Sequence, residues 1–483
     1  LVFLPTVCCW HLAFGRWIND RNPNYSNGYY NPKEMHTFTE NFEGMEKFYN
    51  RESEIGLLKT IKQRSEQSAE MTFVVGRRRV GKTELLRKAF KPSNTLYFFI
   101  EKKNEALLCE EFLLEINQKL GTTIYGQINQ FKQVFSLLMD ISQRQHFTLI
   151  MDEFQEFANI NASIYSEMQH VWDSKKTESK INLILCGSIY SLMTKIFQHS
   201  KEPLFGRATA SLHLKPFDNQ TIKAIMADHH PHYTPEDMLA FYTFTGGVAK
   251  YVELFVKAGA FTKEQMLDQI FMEHSVFLNE GKAVLVDEFG KNYGNYFSIL
   301  SLIASSKTSR SEIESILNIG IGGYLDKLEN EFGLIKKIRP FGAKASGKKV
   351  KYRIEDNYLN FWFRFIYKYR SAIEIGNFDY VRNIVERDYE TYSGIMLEKY
   401  FRQELIESKQ FSEINNFWDK KGLNEIDIIA ENEMEKQLVF YEVKRNKKRI
   451  SLSMLKKKAE NIILKYPGYS HQYKGLSLED ILK

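Results

Sequence analysis

The sequence predicts an α/β fold built on a parallel sheet, and three observations carry that prediction. An apolar run, Met71–Val75, leads straight into "VVGRRRVGKTELL", in which Gly76 and Gly81 frame four residues and Lys82-Thr83 follow at once. A helix-prone stretch, Glu84–Ala89, comes next. Short apolar runs at Thr95–Ile100, Phe147–Met151, Ile181–Cys186 and Ser211–Leu214 then alternate with helical patterns at 105–120, 127–144 and 164–173. Strands that alternate with helices form βαβ units, whose strands lie parallel.

The strand–loop–helix context gives the glycine frame its chemistry. Glycines accept backbone angles that other residues resist, so successive N–H groups can turn inward around phosphates, and the following helix adds its positive N-terminus. Gly76, Arg77, Arg78, Arg79, Val80, Gly81, Lys82, Thr83 and Glu84 are therefore the candidate nucleotide-binding loop. Lys82 is expected to reach the terminal phosphates of ATP, and the Thr83 hydroxyl to hold Mg²⁺. About 70 residues on, "HFTLIMDEFQEF" ends an apolar strand on two acids. Buried charge is costly without a partner, which a metal-holding role for Asp152 and a water-orienting base role for Glu153 would supply. The next strand ends in "ILCGSIYSLM"; Ser188 there is either a γ-phosphate contact or a helix cap.

Composition bounds the rest. The chain has 483 residues, 43% hydrophobic and 26% charged, with a net charge of +6. That is a folded chain of about three domains, mildly basic. Cys8, Cys9, Cys109 and Cys186 have no metal-site spacing, and so few cysteines fit a reducing, cytoplasmic compartment. No run of 18 apolar residues appears, so no membrane span is expected. His229, His230 and His232 in "DHHPHY" read as a solvated loop broken by Pro231. Residues 1–44 differ in character from the rest of the chain: an apolar start without basic residues, then "NDRNPNYSNGYYNP", and helical periodicity only from Met45. They are expected to be a leader, either non-native with Met45 as the true start, or a disordered arm.

Beyond the sheet, 45–218 gives way to an all-helical segment, 219–290, broken at Gly246-Gly247. In 291–384, short helices with Ser309 and Ser311 as caps precede two strand-like runs, "GLIKKIRP" and "KKVKYRIE", which together read as a winged helix. Its wing carries Lys336, Lys337, Arg339, Lys344, Lys348, Lys349, Lys351 and Arg353. The aromatic stripe Phe361, Trp362, Phe365 and Tyr369 reads as packing surface rather than a base-stacking platform. The segment 385–483 is α/β again. Asp427 lies in one strand, and Glu442 and Lys444, two apart on the next, share one face. A D…E-x-K set of this kind holds a divalent metal between carboxylates and sets a lysine beside the attacking water; the alternatives are an inactive fold that keeps its acids, or surface charge. From Lys444 to Lys458 there are eight Lys or Arg and no acids, which suits a phosphate backbone or a solvated helix face.

Read together, these motifs resemble the archaeal-type ATPases of the AAA+/STAND assemblage, in the group that carries a winged helix and a C-terminal restriction-endonuclease-like, PD-(D/E)xK, domain. "FYNRESEIGLL", the glycine loop, "FTLIMDEFQEF", "LILCGS" and "EPLFGRATASLHLKPF" match its motifs in order, and the likeness continues through "YRIEDNYLNFWFRF" and "NEIDIIA…FYEVK", covering 46–460. The resemblance implies a P-loop NTPase core with ATP and Mg²⁺, a helical lid at 219–290, and Glu398 completing the acid set of Asp427 and Glu442. "TGGVAKYVEL" is similar to the lid motif, with Ala249 where proline is usual. Arg207 in "LFGR" is a candidate for stabilising transition-state charge as arginine fingers do, or else a structural ion pair. Arg77–Arg79 cannot all face phosphates that the backbone amides hold, and are expected to meet nearby acids, the lid or a second subunit. Candidate partners are DNA and a second copy of the chain. Two functions are consistent with this: an ATPase coupling nucleotide state to DNA through the winged helix and nuclease-like domain, or an ATP-dependent switch acting through protein–protein contacts with an inert nuclease-like fold.

Overall fold

The structure, a computed structural model, describes residues 47–122, 126–290, 293–344, 347, 349–419 and 424–483. The expected leader, the Met45 start and Lys348 lie outside them.

The first sheet is parallel throughout, in the order β2-β3-β4-β1-β5. Its strands are β1 (Glu70–Val75), β2 (Thr95–Phe99), β3 (Phe147–Asp152), β4 (Ile181–Gly187) and β5 (Ala210–His213). Every residue of β1, β3 and β4 is buried, because helices cover both faces of a parallel sheet. One face packs Met71, Phe98, Phe135 and Trp172; the other packs Val74, Leu85, Ile150 and Ile184. The expected strands and helices are present, with β5 displaced one residue from its expected span.

Five helices follow: Asn219–His229, Pro235–Thr245, Ala249–Ala258, Lys263–Phe271 and Val276–Phe289. Local chemistry sets their starts. Asp218 caps the first, while Thr234 with Asp237 and Thr262 with Gln265 form capping boxes on the second and fourth. Gly247 stands at φ 73°, and a Cβ there would lie 2.3 Å from the Phe217 carbonyl oxygen; the break therefore needs glycine.

Helices Tyr293–Ala304, Arg310–Leu317 and Gly322–Asp326 precede an antiparallel hairpin, β6 (Ile335–Ile338) and β7 (Lys351–Ile354). Ser309 caps the second helix, accepting from the Glu312 N–H. The aromatic stripe is packing surface: Phe361, Trp362 and Phe365 are buried, and Trp362 donates its indole N–H to the Leu278 carbonyl at 3.0 Å.

The last part has the long helix Phe378–Glu407 and a mixed sheet in the order β11-β10-β9-β8. Its strands are β8 (Glu413–Trp418), β9 (Glu425–Asn432), β10 (Gln437–Lys444) and β11 (Ser470–Ser477), with Leu452–Ile463 as the crossover helix between the parallel pair β10 and β11. The boundary expected at 385 falls inside the long helix. One continuous core, from Ile222 through Phe297 and Tyr392 to Ile481, joins the helical segment, the hairpin segment and the C-terminal sheet. Residues 42–483 accordingly form one compact unit. Among the described residues no helix is long and apolar enough to cross a membrane.

Candidate nucleotide site and the C-terminal constellation

Three neighbouring strands deliver the site. β1 runs into the glycine loop, β3 ends at Asp152, and β4, hydrogen-bonded to both, ends at Gly187 before Ser188. Gly81 takes φ 94° at the N-cap of helix Lys82–Ala89. Gly76 has no room for a side chain, since a Cβ would meet the Leu214 carbonyl oxygen at 2.7 Å. Lys82 is 7% exposed. Its Nζ turns back into the loop and donates to the carbonyls of Gly76 at 2.7 Å and Arg77 at 3.2 Å.

Thr83 Oγ1 donates to Asp152 Oδ2 at 3.3 Å, and the same oxygen accepts from the Tyr97 hydroxyl at 2.6 Å. Burial and the Asp152 charge together push the Tyr97 phenol well above its usual range, so it stays a donor. The two expected Mg²⁺ ligands thus lie side by side, in an arrangement that fits the cation. Tyr97 is a site residue that the sequence does not disclose; an aromatic in an apolar strand carries no local sign of such a role.

Glu153 sits in the left-handed region at φ 54°. Its Oε2 accepts from Ser188 Oγ at 2.7 Å and from the Gln155 amide. The helix Tyr190–Gln198 begins after Ile189 without a side-chain cap, so the Ser188 hydroxyl is committed to Glu153 and is no helix cap. That helix start is served instead by Glu288, which accepts from the Tyr190 N–H and the Ser191 hydroxyl at 3.2 Å each; burial raises its carboxyl pKa.

The three arginines go three ways. Arg77 pairs with Asp356 at 3.8 Å. Arg78 Nε donates to Ser188 Oγ at 3.3 Å. Arg79 Nε donates to Glu280 Oε1 at 2.8 Å. Arg79 also accepts the Lys250 N–H on its carbonyl at 3.0 Å, and a Cβ on Gly81 would stand 3.5 Å from Ala249. The "GGVAKY" turn therefore rests on the glycine loop, and its helix starts at Ala249 without proline. The Lys250 amine pairs with Glu253 on its own helix at 3.1 Å.

Arg207 is not at this site. It precedes β5, whose Ala210 pairs with Thr72 and whose His213 pairs with Val75. Arg207 thus lies at the opposite, N-terminal end of the strands from the glycine loop. It pairs with Asp173 at 3.1 Å and donates to the Phe205 carbonyl at 2.9 Å. Contact with phosphates in the same chain is ruled out by that placement.

In the C-terminal sheet, Tyr441 stands opposite Ile428, which brings Asp427 level with Glu442. Asp427 Oδ2 accepts from Lys444 Nζ at 2.9 Å and from the Val443 N–H at 2.8 Å. Glu442 Oε2 accepts from the Ser451 N–H at 2.7 Å. Burial and the Asp427 charge push the Glu398 carboxyl up to about 8. Among the described residues no group of three or more His, Cys, Asp or Glu is gathered closely enough to hold a metal ion. The donors fit a divalent cation only if Lys444 releases Asp427. The basic run is not one helix face either: Lys447–Arg449 is a separate turn, and Arg445 reaches Ser393 and Glu236.

Residues 48–255 match the family model of an ATPase domain predominantly from Archaea. Residues 362–462 match the model DUF234, described as archaeal and bacterial proteins of unknown function. An uncharacterized protein of Methanocaldococcus jannaschii is 28% identical over 407 residues, 82% of this chain and 87% of that relative. The solved structure of a Walker-type ATPase of Pyrococcus abyssi is similar over 68% of this chain and 99% of its own, with a TM-score of 0.51 and 17% identity. The sheet and the elements behind it therefore share the fold of a Walker-type ATPase. The Aeropyrum pernix ORC2 protein, solved in ADPNP–ADP complexes, is similar over 69% of this chain and 98% of its own, with 16% identity and a TM-score of 0.45.

Proposed function

We propose that this chain is an ATP-binding and ATP-hydrolysing AAA+-like protein, in which the nucleotide state of the glycine loop is passed to a winged helix and a nuclease-like domain acting on DNA. The observation that carries the reading is the convergence of Lys82, the Thr83–Asp152 pair and the Glu153–Ser188 pair at the ends of three adjacent strands. Thr83 and Asp152 would hold Mg²⁺, which would supply charge neutralisation for the triphosphate. Lys82 exchanges its two loop carbonyls for the phosphates. Glu153, freed from Ser188, orients the attacking water and accepts its proton. Arg77, Arg78 and Arg79 tie the loop to Asp356, Ser188 and Glu280, which supports a path from the loop to the lid and the segment behind it. Arg207, remote from its own loop, would serve a neighbouring copy in a homo-oligomer. A cytoplasmic location belongs to the same reading.

A second reading, a switch that works through protein–protein contacts with an inert nuclease-like fold, is favoured by one observation: Lys444 already occupies Asp427. Two wing cations are also paired with acids, Lys351 with Glu425 at 3.1 Å and Arg353 with Glu355 at 3.3 Å. The ATPase rate, measured with and without double-stranded DNA over a range of salt, separates the two. Stimulation that falls steeply with salt supports DNA as the partner; a rate indifferent to DNA, with an ATP-dependent change of oligomeric state, supports the switch.

A further inference from the structure

Between the hairpin and the long helix lies a cavity of about 150 Å³. Its walls include the end of helix Tyr293–Ala304, the hairpin strands β6 and β7, the aromatic helix, one stripe of Phe378–Glu407 and Asn416 of β8. Five cations line it, Lys351, Arg353, Arg364, Lys399 and Arg402, against one acid, Glu398. Acids beside the cavity offset only part of that excess. Glu425 takes Lys351 and Glu355 takes Arg353, while Arg364 and Lys399 donate only to the carbonyls of Ala304 and Glu355 or to the Ser306 hydroxyl.

Arg402 is the decisive residue. It is 9% exposed, its Nε has no hydrogen-bond partner among the described residues, and its remaining bond is a long one, 3.4 Å, to the Asp427 carbonyl. A buried guanidinium without a counter-ion is costly and calls for an anion. The five cations repel one another across the space.

We propose that this cavity binds a phosphate group, gripped jointly by the hairpin and the long helix. Guanidinium forks match phosphate oxygens in geometry as well as charge. Asn360 and Asn416 in the same lining add neutral amides. A water occupies about 30 Å³, so the space suits one tetrahedral anion with its remaining waters. The site borders the Asp427–Glu442 pair through Glu398 and Arg402 but does not require cleavage; a DNA-indifferent ATPase would leave it standing. The phosphate comes either from solution or from the end of a nucleic-acid strand.

The test uses the full chain carrying Lys82→Ala, so that the glycine loop does not contribute. Inorganic phosphate is titrated by calorimetry, and a short single-stranded oligonucleotide with a 5′-phosphate is compared with its 5′-hydroxyl twin by anisotropy. Arg402→Gln should weaken phosphate binding at least tenfold, and Arg353→Gln, on the hairpin, should do the same if the Arg402 variant fails to fold. Preference for the 5′-phosphate strand, lost in these variants, assigns the phosphate to nucleic acid; binding of inorganic phosphate alone, lost in the same variants, assigns it to solution. Absence of phosphate binding in either form, or binding unchanged in the variants that fold, overturns the proposal.

Discussion

Arg79 and Glu280 meet at 2.8 Å, 201 residues apart in the chain. Arg79 belongs to the glycine loop, in the left-handed region at φ 73°, and Glu280 to the helix Val276–Phe289. The contact explains why a tight glycine frame contains three arginines. The backbone of such a loop faces inward toward phosphates, so its side chains must face outward. Arginine is long enough to reach a separate element from each position, and its fork holds a carboxylate in a fixed orientation.

That pair should be energetically linked to nucleotide. Because Arg79 is half-exposed, a double-mutant cycle on Arg79→Gln and Glu280→Gln is expected to give a coupling of about 1 kcal/mol or less in the nucleotide-free protein. The coupling should change when ATP binds. An identical coupling with and without ATP, read from denaturant melts, would mean that the contact only holds the lid in place.

Glu153→Gln should keep Mg·ATP binding and slow turnover about 100-fold or more. Ser188→Ala should cost less, about tenfold, because it removes a partner of the base and not the base itself. Single-turnover hydrolysis distinguishes them; unchanged turnover in Glu153→Gln rejects the base assignment.

Arg207 lies at the opposite end of the strands from its own loop, so any role in hydrolysis must be exerted on another copy. The specific ATPase rate should then rise with protein concentration, and mixing Arg207→Ala with Lys82→Ala should restore part of the activity. A rate independent of concentration leaves Arg207 as the structural partner of Asp173.

At the C-terminal sheet, lysine and metal compete for Asp427. Mn²⁺ titrated into the full chain carrying Lys82→Ala should bind more tightly after Lys444→Ala, which frees the carboxylate, and should lose that binding after Asp427→Asn. Equal affinity in all three proteins would leave the C-terminal sheet without a metal site.

The parts legible in the sequence are those whose physics is local. Apolar strands buried on both faces read as unbroken runs, and the glycine loop needs its residues at fixed short spacing, so β1–β5 and the Lys82–Thr83–Asp152 set can be placed. Pairings across long separations leave no such mark. Nothing around Asp356, Glu280 or Glu288 shows that each serves the loop or the strand ends, and Tyr97 looks like any strand aromatic. The long helix Phe378–Glu407, within which position 385 falls, is buried on several sides. With Val381, Tyr389, Tyr392, Tyr400 and Phe401 all in the core, it lacks the single apolar stripe by which a surface helix announces its length.

The central claim is that the loop holding Lys82 binds Mg·ATP. Calorimetric titration of ATP with Mg²⁺ into the wild-type chain and into Lys82→Ala tests it most directly. Saturable binding at one site per chain in the wild type, weakened about 100-fold or more in Lys82→Ala, is the predicted result. Equal affinity in the two proteins, or no binding to the wild type, would contradict it.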